Sequence, residues 1–361
     1  MSLVNFSDPA TAKLLLDKIM KTARALGHVR LMEVCGTHTM EIGRLGLRSL
    51  LPKNLELVSG PGCPVCVTAG GYIDAAADLA LSHHARIVTY GDMVRVPGLR
   101  TSLDEVKSKG AGVDIVTSPL QALDIARARP QEQIVFCAVG FETTAPASAK
   151  TIATAKHEGI KNLSFLASHK IVPPALAVLT RDKALAISGF LLPGHVSAII
   201  GQKPYQFIAQ QGLPGVITGF EPLDILSGIL MVCDMLSHKK AAILNAYTRI
   251  APPEGNPRAL EMVYSVFEVT DSLWRGIGML PTSGLALKKD YKMFDARDRF
   301  GVPPDDAAEM PEACSCGDVL KGRIRPSECP LFGTSCTPES PVGPCMVSSE
   351  GSCAAYFKYG A

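Results

Sequence analysis

Eleven cysteines stand in a chain of 361 residues, and their spacing sorts them into groups suited to different chemistry. Cys63-Pro64-Val65-Cys66 sets two thiols three positions apart, close enough to cycle between dithiol and disulfide or to hold one edge of a metal site. The redox dithiol is the favoured reading. A structural zinc half-site needs a second close Cys/His pair, and Cys314-Ser315-Cys316 has the wrong spacing for a zinc ribbon. A helix is expected over residues 69–81, and its free N–H groups and dipole would lower the thiol pKa of the pair. Cys35-Gly36-Thr37-His38 places a thiol and an imidazole three residues apart on a glycine-bearing loop. Such a pair can bind a transition metal, or His38 can activate Cys35 as a nucleophile. The rival is a buried free cysteine at a strand end.

Six more cysteines crowd the tail: Cys314, Cys316, Cys329, Cys336, Cys345 and Cys353. From residue 301 onward the chain is dense in Pro, Gly and Cys and short of core-forming residues, so it needs staples to hold a shape. Six thiols supply one four-cysteine iron–sulfur cluster with two to spare, and structural zinc is the runner-up. Cys329, Cys336, Cys345 and Cys353, separated by gaps of seven, nine and eight, are the expected ligands, with Cys314 and Cys316 as alternates. Cys137 and Cys233 sit inside apolar runs and read as core thiols. His83, His84, His157 and His238 lie in polar stretches and read as solvated. His169 and His195 lie just past strands, where either can line a cleft. Glu142 and Glu221 each follow a Gly-Phe pair at a strand end. There a carboxylate binds substrate or caps a helix, with Thr143 and Thr144 as rival caps.

These residues need a frame. Short apolar, β-branched runs recur at 29–34, 55–58, 87–90, 113–117, 134–139, 163–167, 186–190 and 216–220, each followed by a Gly/Pro/Thr loop and a helical pattern. Strands alternating with helices imply parallel sheets covered on both faces. Eight such units could close a (β/α)8 barrel. Two open α/β sheets are preferred, because the loop signatures differ and 127–133 (R-A-R-P-Q-E-Q) reads as a boundary. The expected layout is an α/β domain over 1–129 carrying the Cys35 and Cys63/Cys66 loops, a second α/β domain over 130–250, and a loop-rich cluster domain over 251–361. Most polar motifs then fall beyond strand carboxyl ends, where open α/β sheets bind ligands.

Composition excludes much else. A net charge of +2 leaves no broad basic surface for nucleic acid or anionic lipid. No apolar run approaches the roughly 18 residues of a membrane span. Asp8 and Pro9 open a helical pattern that Gly27 ends, and Lys13, Lys18, Lys21 and Arg24 interrupt any secretory apolar core. A cytoplasmic protein is expected, whose thiols serve metal or redox chemistry rather than disulfides. No P-loop, G-x-S-x-G, H-E-x-x-H or dinucleotide fingerprint occurs.

Taken together, the stretches 32–40 (M-E-V-C-G-T-H-T-M), 59–66 (S-G-P-G-C-P-V-C), 140–146 (G-F-E-T-T-A-P), 192–197 (L-P-G-H-V-S), 343–348 (G-P-C-M-V-S) and 350–355 (E-G-S-C-A-A) closely resemble the HypD family of [NiFe]-hydrogenase maturation factors. The resemblance spans nearly the whole chain. It implies two α/β domains, a C-terminal [4Fe–4S] domain, and a scaffold on which an iron bearing two cyanides and one carbon monoxide, Fe(CN)2CO, is assembled. It further implies a small chaperone, HypC, that shares the iron. HypE would carry a thiocyanate made from carbamoyl phosphate by HypF, and the hydrogenase large subunit would receive the unit through HypC. In that frame Cys35 is the iron ligand, His38 a second ligand or proton donor, and Cys63 and Cys66 the electron donors that release cyanide. The tail cluster is their relay. A stand-alone iron–sulfur thiol/disulfide oxidoreductase is the alternative.

Overall fold

The structure, a computed structural model, describes residues 7–305 and 313–360. Nine strands build two parallel sheets: β1 (Val29–Glu33), β2 (Leu55–Ser59), β3 (Arg86–Thr89), β4 (Val113–Ile115), β5 (Ile134–Gly140), β6 (Leu163–His169), β7 (Gly189–Pro193), β8 (Gly215–Thr218) and β9 (Ile243–Asn245). One sheet has the order β2-β1-β7-β8-β9 and the other β4-β3-β5-β6. All eight expected strands exist and no barrel closes. The fold is α/β, with a cysteine-rich C-terminal region.

The strands are shared out differently from the expected layout. Residues 127–133 do not separate two sheets: β3, before them, pairs with β5, after them, with Ile87 opposite Val135. After β2 the chain leaves the first sheet and builds the whole of the second. It then returns through β7, which pairs with β1. Loop composition marks where the chain turns, but it carries no information about which distant strand a run will pair with.

This return creates the feature that positions the chemistry. From β1 the chain runs outward to β2, and from β7 it runs the other way to β8 and β9. The strand order therefore reverses between β1 and β7, and the crevice beyond their carboxyl ends is a switch point of the kind that binds ligands. Cys35 follows β1 and His195 follows β7. The second sheet reverses between β3 and β5 in the same way, with Glu142 beyond β5.

Local signals act as their chemistry dictates. The helix Pro9–Arg24 starts with Pro at its first position, and Asp8 Oδ2 accepts from the Thr11 N–H at 2.8 Å. It packs on Pro222–Ser237, whose first turn carries a capping box between Glu221 and Asp224. Glu221 is thus a helix cap. An antiparallel hairpin, β10 (Phe267–Trp274) and β11 (Gly278–Leu287), joins the second sheet to the tail. Among its described residues the tail has no sheet of its own. Cys316, Cys336, Cys345 and Cys353 share one apolar core with Met32 and Val58 of the first sheet and with Phe141 and Trp274, and Cys314 packs against it. The tail's last helix, Ser352–Tyr359, lies on Gly36–Arg44, where a side chain on Gly43 would meet Tyr359 Cβ at 3.3 Å.

Candidate functional site

Cys35 stands two residues past β1 and is the N-cap residue of Gly36–Arg44, in extended conformation. Its thiol is buried, and burial pushes its pKa up to about 12, so the bare site holds a neutral thiol. The nearest imidazole is not His38. Cys35 Sγ lies 3.8 Å from Nδ1 of His195, at the start of the helix Gly194–Ile200. His38 turns the other way, its Nε2–H donating to the Gly219 carbonyl at 2.9 Å, and its Nδ1 is buried without a partner. Both rings flank Phe220, with centroids 4.8 and 5.2 Å away, and burial lowers both pKa values to about 4. The thiol and both rings are therefore uncharged.

The Cys63/Cys66 loop interlocks with the Cys35 loop. The Gly36 N–H donates to the Gly62 carbonyl at 3.1 Å, and a Cβ on Gly62 would overlap the Cys35 backbone. The two sulfurs of the pair are 2.6 Å apart, and the Cys66 N–H points at Cys63 Sγ at 3.3 Å. The expected helix exists as Gly70–Ser82, yet it begins four residues beyond Cys66, and turns fill 64–67. The pair lies off the helix N-terminus. Burial, then the bond to Cys63, raises the Cys66 thiol well above its usual value.

The tail closes over both loops. Thr37 Oγ1 donates to Glu350 Oε1 at 2.8 Å, and a Cβ on Gly36 would overlap the Glu350 backbone. Ser348 Oγ donates to Asp92 Oδ2 at 2.6 Å, fastening the same segment to the short helix Gly91–Val94 after β3. Cys66 Sγ approaches the Pro344 carbonyl at 3.9 Å, one residue before Cys345. All six tail cysteines line one cavity with Leu331, Phe332, Gly343 and Met346.

Within that cavity Cys316 and Cys345 form a disulfide, while Cys314, Cys329, Cys336 and Cys353 are free. Of the expected ligands Cys329, Cys336, Cys345 and Cys353, Cys345 is paired with Cys316, while the alternate Cys314 is free. The tail is irregular, so similar gaps along the chain say little about position in space. The four free thiols suit a cluster. They share an apolar lining, Cys314 and Cys353 each lie in the electrostatic reach of Cys329 and Cys336, and the Val342 N–H points at Cys336 Sγ at 3.3 Å. Among the described residues no three His, Cys, Asp or Glu side chains converge on one ion position.

Comparison with known proteins bears on what this arrangement serves. The pattern of HypD, described as the hydrogenase formation hypA family, matches residues 10–360. The chain belongs to the HypD family. It is 44% identical over 365 residues to the hydrogenase maturation factor HypD of Rhodobacter capsulatus, covering 98% of this chain and 97% of that one. It is 43% identical over 333 residues to HypD of Escherichia coli K12, covering 92% and 89%. A putative hydrogenase expression/formation protein of Methanocaldococcus jannaschii is 40% identical over 358 residues, with 99% of both chains covered. Its role lies in hydrogenase maturation. Among the described residues no helix is long and apolar enough to cross a membrane.

Two further candidates of this HypD-family chain make contacts that hold neighbouring elements. Glu142 Oε1 accepts from the Val172 N–H at 2.9 Å and so caps Val172–Leu179, not the helix that follows it in sequence. Burial lifts its carboxyl to about 7, and Oε2 has no partner. His169 Nε2 contacts Ser148 Oγ at 3.2 Å beneath Phe267. Cys137 and Cys233 are buried in apolar cores. Glu350 and Thr37 were missed by reasoning from residue types. Both stand inside recognised stretches, but nothing in the sequence joins positions 313 residues apart.

Proposed function

We propose that this chain is the scaffold on which, together with HypC, the iron of the Fe(CN)2CO unit is held during assembly, Cys35 being its protein ligand from this side. A soft thiolate suits iron carrying strong-field ligands. Iron entry must expel the Cys35 proton, since burial keeps the bare thiol protonated, and His195, neutral and 3.8 Å away, is the group beside it. The role expected of His38 moves to His195; His38 holds the Gly219 carbonyl and so the wall of the crevice.

Cys63 and Cys66 supply electrons for cyanide release from the thiocyanate carried by HypE. One thiol attacks the sulfur of R–S–C≡N, expelling cyanide. The second thiol then displaces R–SH and closes the Cys63–Cys66 disulfide, so the pair loses two electrons and the thiocyanate gains them. Cyanide leaves next to the iron site because Gly36 and Gly62 press the two loops together. Cys314, Cys329, Cys336 and Cys353 would hold a [4Fe–4S] cluster, which supplies single electrons when bound. The Cys316–Cys345 disulfide stands beside both the cluster thiols and Cys66 and can pass reducing equivalents between them by exchange. The cytoplasm, where thiols stay reduced, is the compartment this chemistry requires.

The observation that carries this reading is the convergence of the Cys35, Cys63/Cys66 and tail loops, interlocked through Gly36, Gly62 and Glu350. Iron analysis of the anaerobically purified complex with HypC tests it. The scaffold retains iron beyond the cluster, and Cys35→Ala loses that extra iron while keeping the cluster. A stand-alone thiol oxidoreductase has no use for Cys35, and equal iron in both proteins would favour it.

A further inference from the structure

Arg275 lies in the turn between β10 and β11, fully buried, and its guanidinium is almost without partners. Nη1 donates to the Pro97 carbonyl at 2.7 Å, while Nε and Nη2 are buried with none. Among the described residues no carboxylate stands within ion-pairing distance. Asp74, the carboxylate in its electrostatic reach, is already engaged by the N–H groups of Leu99 and Arg100 at 3.0 and 3.1 Å. An arginine stays charged in such surroundings, so this is an uncompensated buried cation, a costly arrangement to keep for one backbone bond.

Its neighbours give the charge a use. The Arg275 N–H donates to the carbonyl of Val67, next to Cys66, at 2.9 Å. On the other flank, a Cβ on Gly317, next to Cys316, would fall 2.7 Å from the Gly276 carbonyl oxygen. The turn is thus wedged between the dithiol loop and the first cysteines of the tail, and the anionic groups that would act on Arg275 most strongly are Cys314 and then Cys66. Four thiolates around a cluster make an anionic site, and charges and N–H donors near the sulfurs set its potential.

We propose that Arg275 is a positioning cation for electron transfer, its guanidinium raising the reduction potential of the site held by Cys314, Cys329, Cys336 and Cys353 and offsetting the negative charge that builds up between that site and Cys66. The assignment rests on the cluster reading above. Reduction by a low-potential one-electron carrier adds one negative charge to the site and breaks no bond, and a fixed cation favours the state with that added charge.

EPR-monitored redox titration of the full-length, anaerobically prepared protein tests this. Arg275→Gln is expected to lower the reduction equilibrium constant about tenfold, which is about 59 mV toward negative potential for one electron. Arg275→Lys, which keeps the charge and loses the planar fork, is expected to stay near the wild-type value. Should the glutamine variant fail to fold, Arg275→Met replaces it as the neutral form. A neutral variant that titrates with wild type, or a lysine variant shifted as far as the neutral one, overturns the role of Arg275 alone. A wild-type protein without a cluster signal overturns the cluster reading, and this assignment with it.

Discussion

Glu142 offers a sharp quantitative test, because its carboxyl is buried and only backbone N–H groups, its own and that of Val172, stabilise its charged form. Burial raises its pKa from an ordinary 4.5 to about 7. A carboxyl raised on folding gives its full share of stability below pH 4.5 and loses it as pH climbs through 7. Each pH unit in that window is worth about 1.4 kcal/mol, so at pH 8 the wild type is expected to have lost roughly 3 kcal/mol relative to pH 4.5 through this residue. Glu142→Gln keeps an oxygen for the Val172 N–H and cannot ionise, so the loss should vanish. Any fixed cost of leaving the new amide without a partner applies at every pH and drops out of the comparison. Urea unfolding at pH 5 and pH 8 provides the assay, and the single tryptophan is well placed for it: Trp274 is buried and stacks on Phe141, 5.9 Å away, the residue before Glu142. The variant should gain on wild type by about 2–3 kcal/mol between the two pH values while the slope with urea stays constant. A gap between variant and wild type that does not change with pH would refute the argument. A variant that gains stability and still supports maturation would establish Glu142 as a cap rather than a catalytic acid.

Other outcomes follow from the same geometry. Cys314→Ser should abolish the four-iron absorbance of anaerobically purified protein, whereas Cys345→Ser should retain it, because Cys345 is paired with Cys316; iron and acid-labile sulfide assays decide. Gly62→Ala should destabilise the fold by about 1–3 kcal/mol through overpacking against the Cys35 backbone and reduce iron retention there, with the cluster spectrum intact. Arg48→Met should cost about 3–5 kcal/mol in urea unfolding, because Arg48 Nη2 is 2.8 Å from the fully buried Glu33 and its loss strands that carboxylate. Adding Glu33→Gln to that variant should recover part of the loss, and additive effects would argue against coupling.

How far the sequence carries is clear from particular residues. The eight parallel strands were legible because β-branched runs bounded by Gly and Pro leave few alternatives. Their pairing was not. That β7 returns to lie beside β1 depends on contacts across 158 residues, as between the Arg30 N–H and Ser188 Oγ. The expected run at 186–190 is displaced to Gly189–Pro193 because residues 187–188 lead into the strand rather than belong to it. β9 is three residues long, and β10 exposes Glu268, Val269 and Thr270 in succession, so neither shows an alternating pattern. At the site, type and spacing single out Cys35 and the Cys63/Cys66 pair, and the structure brings their two loops into contact. His38 was chosen over His195 because sequence spacing favours near neighbours, whereas the turn into Gly36–Arg44 points His38 at Gly219 and the reversal of strand order brings His195 across.

Infrared spectroscopy of the complex with HypC, isolated anaerobically from cells making the maturation proteins, tests most directly whether Cys35 holds the iron. The wild-type complex is expected to show cyanide and carbonyl stretching bands, and Cys35→Ala is expected to lack both while still binding HypC. Bands of full intensity in Cys35→Ala, or none in the wild type under conditions that mature the hydrogenase, would contradict it.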